Sequence, residues 1–262
     1  MGENSKWYKI IFKQIQPIHI GVGSYGVINE TRIFIPGWTM WGALTKAYNL
    51  NNGKELSENH DIFENISCFY PCFDENGNDI LFPEIKEGKL YLGNYSEDEF
   101  RAKFVDTFVS TSIDIFTNTA LQESLHEINV ILPGAKNDFL EIEKEKQIYW
   151  VGVIKLDKKF VPNIPKTIYI GGDVRYGFGK MEFIEKKELS NNEKKNWKFE
   201  KNYYPYSSDK NLTINGKLEF LIDIVKPWNY KQLQVEYKGF YYIPGSKIKI
   251  SNTPKIKKGT II

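Results

Sequence analysis

A glycine-rich turn between two strand-like segments restricts the fold of this 262-residue chain more than any other feature. Residues 171–179 read Gly-Gly-Asp-Val-Arg-Tyr-Gly-Phe-Gly, and their four glycines permit positive φ angles and a close approach of other atoms to the backbone. Residues 167–170 before the turn and 180–184 after it are rich in strand formers, so they predict two strands. The chain is therefore expected to fold around a β-sheet with a tight connection at this point.

The turn differs from two well-known phosphate-binding loops. It lacks the Gly-Lys-Ser/Thr ending of a nucleotide P-loop, and a strand follows it where a dinucleotide-binding fingerprint requires a helix. Its backbone N–H groups can still meet phosphate oxygens, and its side chains add positive charge and a stacking ring. The candidate RNA contacts are Gly171, Gly172, Arg175, Tyr176, Gly177, Gly179 and Lys180. The alternative is a β-turn that binds no ligand, and local features leave both open. No cofactor is expected.

Composition indicates a globular protein. Apolar residues make up 41% of the chain and charged residues 26%, while the 15% of aromatic residues favours β-structure or stacking surfaces. No apolar run approaches the roughly 18 residues that a membrane span requires, and residues 1–7 lack the apolar core of a signal peptide. Two cysteines cannot form a disulfide framework, so a cytoplasmic protein without membrane contact is expected.

Charge is segregated along the chain, although the net charge is only +2. Residues 1–50 carry a net charge of +3, residues 51–145 one of −13, and residues 146–262 one of +12. A positive face would attract an RNA backbone, whereas the acidic block would repel RNA and face protein neighbours. The alternative is a Lys- and Glu-rich surface that is only solvated.

Hydrophobic patterns predict the order of the main elements. A helix is expected over residues 39–50, where Met40 and Leu44 lie at helical spacing. A loop containing Gly21, Gly23 and Gly26 is expected before it, and residues 51–100 predict an irregular acidic insertion without core elements. Further strands are predicted at residues 6–15, 27–35, 147–156, 218–225, 233–237 and 240–243, with a connector at 185–201.

Three segments, taken in order, resemble signatures of the RAMP superfamily of CRISPR-associated proteins. Residues 16–23, Gln-Pro-Ile-His-Ile-Gly-Val-Gly, are similar to the Pro-x-His-x-Gly end of the family's first strand. Residues 35–44, Ile-Pro-Gly-Trp-Thr-Met-Trp-Gly-Ala-Leu, resemble its Ile-Pro-Gly-Ser-x-Leu-x-Gly-x-Leu helix entry, and residues 171–179 resemble its glycine-rich loop. Residues 113–120, Ile-Asp-Ile-Phe-Thr-Asn-Thr-Ala, are more weakly similar to an Ile-Asp-Arg-x-Thr-Gly-x-Ala stretch. The resemblance covers about residues 8–184.

The resemblance implies an α+β chain with a ferredoxin-like, RRM-type RAMP fold. In this family the sheet, the first helix and the glycine-rich loop hold a CRISPR RNA inside a multisubunit complex. The implied RAMP domain covers residues 1–189, with an insertion at about 51–105. Residues 190–262 would form a β-rich basic region, either a second partial RRM-like half or an arm that reaches a neighbour. Residues 67–71 resemble cap subunits, whereas the stretch around Asp114 resembles backbone subunits, so that choice stays open.

The first helix departs from the basic pattern of backbone subunits. Such subunits often carry Lys and Arg where this chain has Trp41 and Thr45, and Lys46 is the adjacent basic residue. We therefore expect Trp38 and Trp41 to contact RNA by stacking on bases, with Lys46 adding positive charge.

Three schemes would give the chain catalytic or metal chemistry. Guide-processing endoribonucleases of the superfamily often use a His as general acid or base, and His19 is the candidate. Target-cleaving subunits use an Asp in the loop before the Ile-Pro-Gly entry, where Glu30 is the acid in this chain, so cleavage is not expected. His60, Cys68 and Cys72 are candidate zinc ligands at a non-standard spacing, and two buried free thiols are the alternative.

The expected function is that of a non-catalytic CRISPR RNA-binding subunit of a type III CRISPR effector in antiviral defence. Its expected partners are CRISPR RNA and other effector subunits. One alternative is a metal-independent CRISPR RNA-processing endoribonuclease that uses His19. The other is a RAMP-fold protein-interaction subunit without RNA binding, which the near-neutral net charge and the scarcity of basic residues on the first helix favour.

Overall fold

The structure is a computed structural model that describes residues 5–136, 146–190, 193, 197, 201–206, 214–224, 235–248 and 255–261. The helices are α1 (Gly37–Asn51) and α2 (Glu97–Phe104). The strands are β1 (Ser5–Gln14), β2 (Gly21–Tyr25), β3 (Ile28–Thr31), β4 (Tyr70–Cys72), β5 (Pro83–Lys86), β6 (Lys89–Leu92), β7 (Tyr95–Ser96), β8 (Val105–Ser110), β9 (His126–Ile131), β10 (Tyr149–Asp157), β11 (Thr167–Tyr169), β12 (Lys180–Glu188), β13 (Tyr204–Pro205), β14 (Ile214–Asn215), β15 (Leu218–Ile224), β16 (Val235–Tyr242), β17 (Lys247–Ile248), β18 (Ile256–Lys257) and β19 (Thr260–Ile261). The chain is thus α+β and rich in strands. No helix of the described part is long and apolar enough to cross a membrane.

A five-stranded antiparallel sheet with the order β11-β12-β1-β10-β4 forms the centre of the molecule. β1 lies in the middle and pairs with both β10 and β12. The strands predicted at residues 6–15, 147–156, 167–170 and 180–184 are confirmed, each with a shift of one to four residues at one or both ends. The connector predicted from residue 185 is wrong at its start, because β12 continues to Glu188. Those last strand residues are exposed and charged, so they carry no hydrophobic signal.

Helix α1 follows the predicted pattern. Pro36 precedes it with φ at −58°, and its ring removes an N–H group that would lack a partner inside the helix. Met40 and Leu44, four residues apart, are fully buried in the same core as Phe12 of β1. The helix predicted at 39–50 is therefore confirmed, and the structure begins it at Gly37.

Residues 51–105 contribute to the central core, which corrects the expectation of an insertion without core elements. β4 is a strand of the central sheet, and Ile66, Phe69 and Tyr70 are fully buried. The remainder forms a small sheet, β5-β6-β7, and helix α2, whose first turn is closed by a capping box between Ser96 and Glu99. This core segment was not predicted, because it is a short apolar run and acidic residues dominate the composition on either side of it.

A second sheet has the order β2-β3-β9-β8. It joins the segment that follows β1 through two backbone hydrogen bonds between Ile18 and Ile131. The loop expected around Gly21, Gly23 and Gly26 is wrong in part, because Gly21–Tyr25 is the strand β2. The strand predicted at 27–35 is confirmed as the shorter β3, which pairs with β2 in a hairpin. All of β2 is exposed, so it lacks the apolar alternation of a half-buried strand.

The C-terminal region contains three small sheets in its described residues, with the orders β13-β16-β15, β14-β17 and β18-β19. The strand predicted at 218–225 is confirmed as β15, whereas the two strands predicted at 233–237 and 240–243 are one strand, β16. A bulge opposite Leu221 and a positive φ of 98° at Gly239 interrupt its pattern. Tyr203 and Leu221 are buried in the central core.

Candidate nucleic-acid interface

The glycine-rich loop joins β11 to β12 and rests on the chain that follows β1. The N–H group of Gly172 donates a hydrogen bond to the carbonyl oxygen of His19 at 2.9 Å, and that of Gly179 donates to Pro17 at 2.8 Å. Two segments that are far apart in the sequence, residues 16–23 and 171–179, therefore form one structural unit. These two N–H groups already have acceptors within the protein, so they do not point to a phosphate.

Two of the loop glycines are required by the protein's own packing. Gly171 and Gly179 have φ angles of +81° and +87°, and a Cβ on either would overlap a backbone oxygen, of His19 and Ile170 respectively. Gly177 has a φ of +90°, and nothing lies within 4 Å of the position that its Cβ would take. Open space for a ligand therefore remains at Gly177.

The apex of the loop presents a positive charge and an aromatic ring to solvent. Residues Val174–Tyr176 form a single 3-10 turn between two residues in left-handed conformation. Arg175 is exposed, and Tyr176 has an exposed fraction of 78%. Lys180, at the start of β12, is half-buried and forms an ion pair with Glu182 at 3.1 Å. Arg175 and Tyr176 are therefore the two loop side chains most available to an external partner.

Phe178 fixes this apex to the second sheet. Its ring packs edge-to-face against Phe108 of β8 with a centroid distance of 5.2 Å, and it is buried together with Ile128 and Val130 of β9. This anchor was not predicted from the sequence. The available signal was Phe178 itself, an apolar ring between two glycines of a polar turn, because exposing such a ring to water is unfavourable.

His19 lies beneath the glycine-rich loop and is buried. Its Nδ1 is 2.8 Å from the carbonyl oxygen of Asn129. A carbonyl only accepts, so Nδ1 carries the hydrogen in this contact. No carboxylate or second histidine of the described residues hydrogen-bonds to the ring, so the arrangement resembles a packing histidine that joins the loop to β9. A proton-transfer role would require a partner that this geometry does not supply.

The two tryptophans of α1 are engaged by the C-terminal region. The ring centroids of Trp38 and Tyr203 are 4.8 Å apart, and the ammonium of Lys258 lies 3.6 Å from the Trp41 ring centroid. Both tryptophans are half-buried, which limits their availability for stacking on bases. Lys46, one turn further along the helix, is exposed.

The broad faces of the central sheet are closed around β1. Residues Tyr8 to Phe12 are all buried, although their side chains alternate between the two faces. On one face the ammonium of Lys9 donates to the carbonyl oxygens of Asn76, at 2.9 Å, and Gly77, at 3.1 Å. RNA cannot therefore lie across the middle of this sheet as it does in a simple RRM domain.

The candidate zinc ligands do not form a site. His60 is exposed, whereas Cys68 is fully buried with its thiol directed at the carbonyl oxygen of Gly259. Burial raises the pKa of the Cys68 thiol to about 12, and burial likewise raises the pKa of Cys72, whose sulfur contacts the backbone of Asp74. The two cysteines are thus buried free thiols, the alternative given above.

Glu30, which lies in β3 and not in the expected loop, is also engaged. Its carboxylate forms an ion pair with Arg101 of α2 at 3.1 Å. Among the residues that the structure describes, no group of three or more His, Cys, Asp or Glu side chains is placed to hold a metal ion.

Two exposed apolar surfaces lie outside the predicted site. One is the connection between β8 and β9, where Ile115 and Phe116 are almost completely exposed, at 90% and 99%. The other is one face of the sheet β13-β16-β15, with Tyr206, Phe220 and Phe240 exposed. Neither surface was predicted, because apolar residues normally predict burial and only the tertiary structure shows which of them remain exposed.

No protein-family model matches the chain, and no curated protein matches it by sequence. Solved structures do match. A chain in the cryo-EM structure of the Type III-B Cmr-beta bound to cognate target RNA and AMPPnP, state 1, aligns with a TM-score of 0.61 at 14% sequence identity. The alignment covers 92% of this chain and 85% of the other. A chain in the cryo-EM structure of the Type III-B Cmr-beta bound to cognate target RNA gives a TM-score of 0.60 at 14% identity, covering 92% and 86%.

This chain and the chain in the structure with AMPPnP have the same fold. The sequence resemblance extends only over about residues 8–184, whereas the structural alignment covers 92% of the chain. It therefore includes much of the C-terminal region from residue 190 onward, which the motifs left unexplained.

Proposed function

We propose that this protein is a non-catalytic CRISPR RNA-binding subunit of a type III CRISPR effector complex in antiviral defence. The observation that carries the proposal is the glycine-rich loop, which is seated on Pro17 and His19 and presents Arg175 and Tyr176 to solvent. This loop stands on a fold shared with a chain from a Type III-B Cmr-beta structure bound to cognate target RNA. The proposed location is the cytoplasm.

The strand order supports a ferredoxin-like, RRM-type RAMP fold for residues 1–189. In the order β12-β1-β10-β4 every neighbouring pair is antiparallel, and α1 follows β1, as in the first half of that fold. The second half differs, because residues 158–179 between β10 and β12 form 3-10 turns and β11 in place of a helix. In this proposal residues 190–262 are a second, β-rich part that is packed onto the first through Tyr203.

The loop apex has the chemistry to bind an RNA backbone. The guanidinium of Arg175 would pair with a phosphate, and the exposed ring of Tyr176 would stack on a base. The space beside Gly177 would admit the sugar-phosphate chain. Gly171, Gly172 and Gly179 would act indirectly, by holding the apex in place against His19 and Pro17.

The exposed connection between β8 and β9 supports a protein partner. Ile113, Ile115 and Phe116 are 61% to 99% exposed and lie in the acidic part of the chain, which does not favour contact with phosphate. We propose that another effector subunit covers this segment.

The protein-interaction subunit remains the second candidate. The closed central sheet and the engagement of Trp38 and Trp41 leave few of the expected RNA contacts open. Endoribonuclease activity is the less favoured alternative, because His19 is buried and hydrogen-bonded to a backbone carbonyl.

RNA that copurifies with the protein tests the proposal. We expect sequencing of RNA retained at moderate salt to show enriched CRISPR repeat-spacer RNA, and the double variant Arg175→Ala/Tyr176→Ala to lose it. The matched control is Lys54→Ala/Tyr91→Ala, which removes a cation after α1 and a tyrosine of β6. Equal RNA retention by both double variants would refute the loop assignment. Cleavage of repeat RNA in EDTA that His19→Ala abolishes would establish the endoribonuclease alternative.

A further inference from the structure

The sheet β13-β16-β15 has an outward face made of aromatic and aliphatic side chains. We call this face the aromatic platform and define it by Tyr206, Leu218, Phe220 and Phe240, which are 44% to 56% exposed. Such a group of large apolar side chains on an outward sheet face is unusual, because exposed apolar residues are normally scattered singly.

Three rings of the platform form a row across adjacent strands. The N–H group of Tyr206 donates to the carbonyl oxygen of Phe240 at 2.9 Å, and Phe240 is the register partner of Phe220. The rings of Phe220 and Phe240 pack with a centroid distance of 5.2 Å. Since neighbouring strands are about 4.8 Å apart, the row is about 10 Å wide, enough for bases to rest on it.

The opposite face of the sheet fastens it to the body of the protein. Leu221 is buried in the central core. Glu219 accepts a hydrogen bond from the hydroxyl of Tyr203 at 2.8 Å and forms an ion pair with Arg32. The carboxylate of Glu219 is therefore directed away from the platform.

Positive charge flanks the platform. Lys217 immediately precedes β15 and Lys238 lies at the bulge of β16, and both are exposed. Residues 201–262, which contain this sheet, hold 11 Lys and 4 Asp or Glu and so carry a net charge of +7. An aromatic surface bordered by lysines complements single-stranded nucleic acid, whose bases offer π-faces and whose phosphates offer negative charge.

We propose that the aromatic platform binds a segment of single-stranded RNA, whose bases stack on Phe220, Phe240 and Tyr206. The lysines at its borders contact phosphates. This surface is separate from the glycine-rich loop, so the platform can bind RNA whether or not the loop does.

Fluorescence anisotropy with the full chain and a labelled adenine-rich single-stranded RNA of about fifteen nucleotides tests the proposal. We expect Phe220→Ala and Phe240→Ala each to weaken binding about tenfold. Phe240→Leu keeps an apolar side chain but has no ring, so it should lose nearly as much. The control is Leu56→Ala, which removes a leucine that is 43% exposed and lies outside the platform, and it should change affinity by less than about twofold. Each variant's thermal melt verifies folding.

Salt dependence separates phosphate contacts from base contacts. Lys217→Ala and Lys238→Ala should each reduce the slope of log K against log salt by about 0.7, whereas the Phe variants should leave the slope unchanged. A duplex RNA of the same length should bind the platform less well, since its bases are already stacked.

Several results would overturn the proposal. Wild-type affinity in Phe240→Leu would show that the ring does not stack on a base. Unchanged RNA affinity in Phe220→Ala/Phe240→Ala, with lost binding to a purified partner subunit, would make the platform a protein interface. If only Arg175→Ala/Tyr176→Ala weakens binding, the platform proposal falls and the proposed function stands. If only the platform variants weaken binding, the platform is supported and the loop assignment falls.

Discussion

Alanine substitutions at Gly179 and Gly177 should separate the packing glycines of the loop from the open one. Both residues have left-handed φ angles, which cost a residue with a Cβ roughly 1–2 kcal/mol. At Gly179 the new Cβ would also overlap the carbonyl oxygen of Ile170. Relief of that overlap disturbs two hydrogen bonds of Gly179, one with Ile170 at 3.0 Å and one with Pro17 at 2.8 Å, each worth about 1 kcal/mol.

The free energy of unfolding therefore should fall by about 3–4 kcal/mol in Gly179→Ala and by about 1–2 kcal/mol in Gly177→Ala. For a chain of this size the difference of about 2 kcal/mol corresponds to about 4–8 °C in the melting temperature. Urea denaturation followed by tryptophan fluorescence measures the first quantity, and a thermal melt measures the second. Gly177→Ala is the matched control, because it introduces the same methyl group at a similar φ.

Equal destabilisation by the two substitutions would refute the reasoning. It would mean that the loop does not pack on the protein at Gly179, or that Gly177 is enclosed. Since an RNA ligand would approach Gly177, the Gly177→Ala variant should also bind RNA more weakly than its small loss of stability explains.

Three further predictions concern the contacts that hold the C-terminal region and the buried thiol. Because burial raises the pKa of Cys68 to about 12 from an ordinary value near 9, the folded state holds that proton more tightly, and stability should fall as the pH rises from about 9 towards 12. Urea titrations at several pH values should show a shallower alkaline loss in Cys68→Ala than in the parent. Glu219→Gln leaves the guanidinium of Arg32 without its ion pair and should destabilise the fold by about 2–4 kcal/mol in urea, whereas Arg32→Met/Glu219→Leu should recover part of that loss. Gly259→Ala places a Cβ 2.6 Å from the backbone nitrogen of Gly37. We expect a loss of about 2 kcal/mol in the free energy of unfolding, which lowers the melting temperature by several degrees. An unchanged melting temperature would contradict the close packing of β18–β19 on α1.

Local patterns in the sequence were sufficient for the elements whose side chains alternate or repeat. The strand at residues 6–15 and the helix at 39–50 follow from their own periodicity, and the structure confirms both. The exposed strand β2 and the buried segment 66–72 were not predictable in this way. One has no buried face, and the other is a short apolar run inside acidic sequence.

The glycine-rich loop separates what the sequence predicts from what the tertiary structure decides. Four glycines in nine residues indicate that the backbone needs left-handed angles or close contacts, and that prediction required no structure. Which atoms make those contacts depends on chain segments far apart in the sequence, so only the fold reveals that Gly171 packs on His19 while Gly177 faces open space. The same holds for Trp38 and Trp41, whose rings are occupied by Tyr203 and Lys258 from the other end of the chain. The sequence alone determined which residues have the chemistry to bind RNA. The tertiary structure decided which of them remain exposed, because burial is a property of the whole packing and not of a residue type.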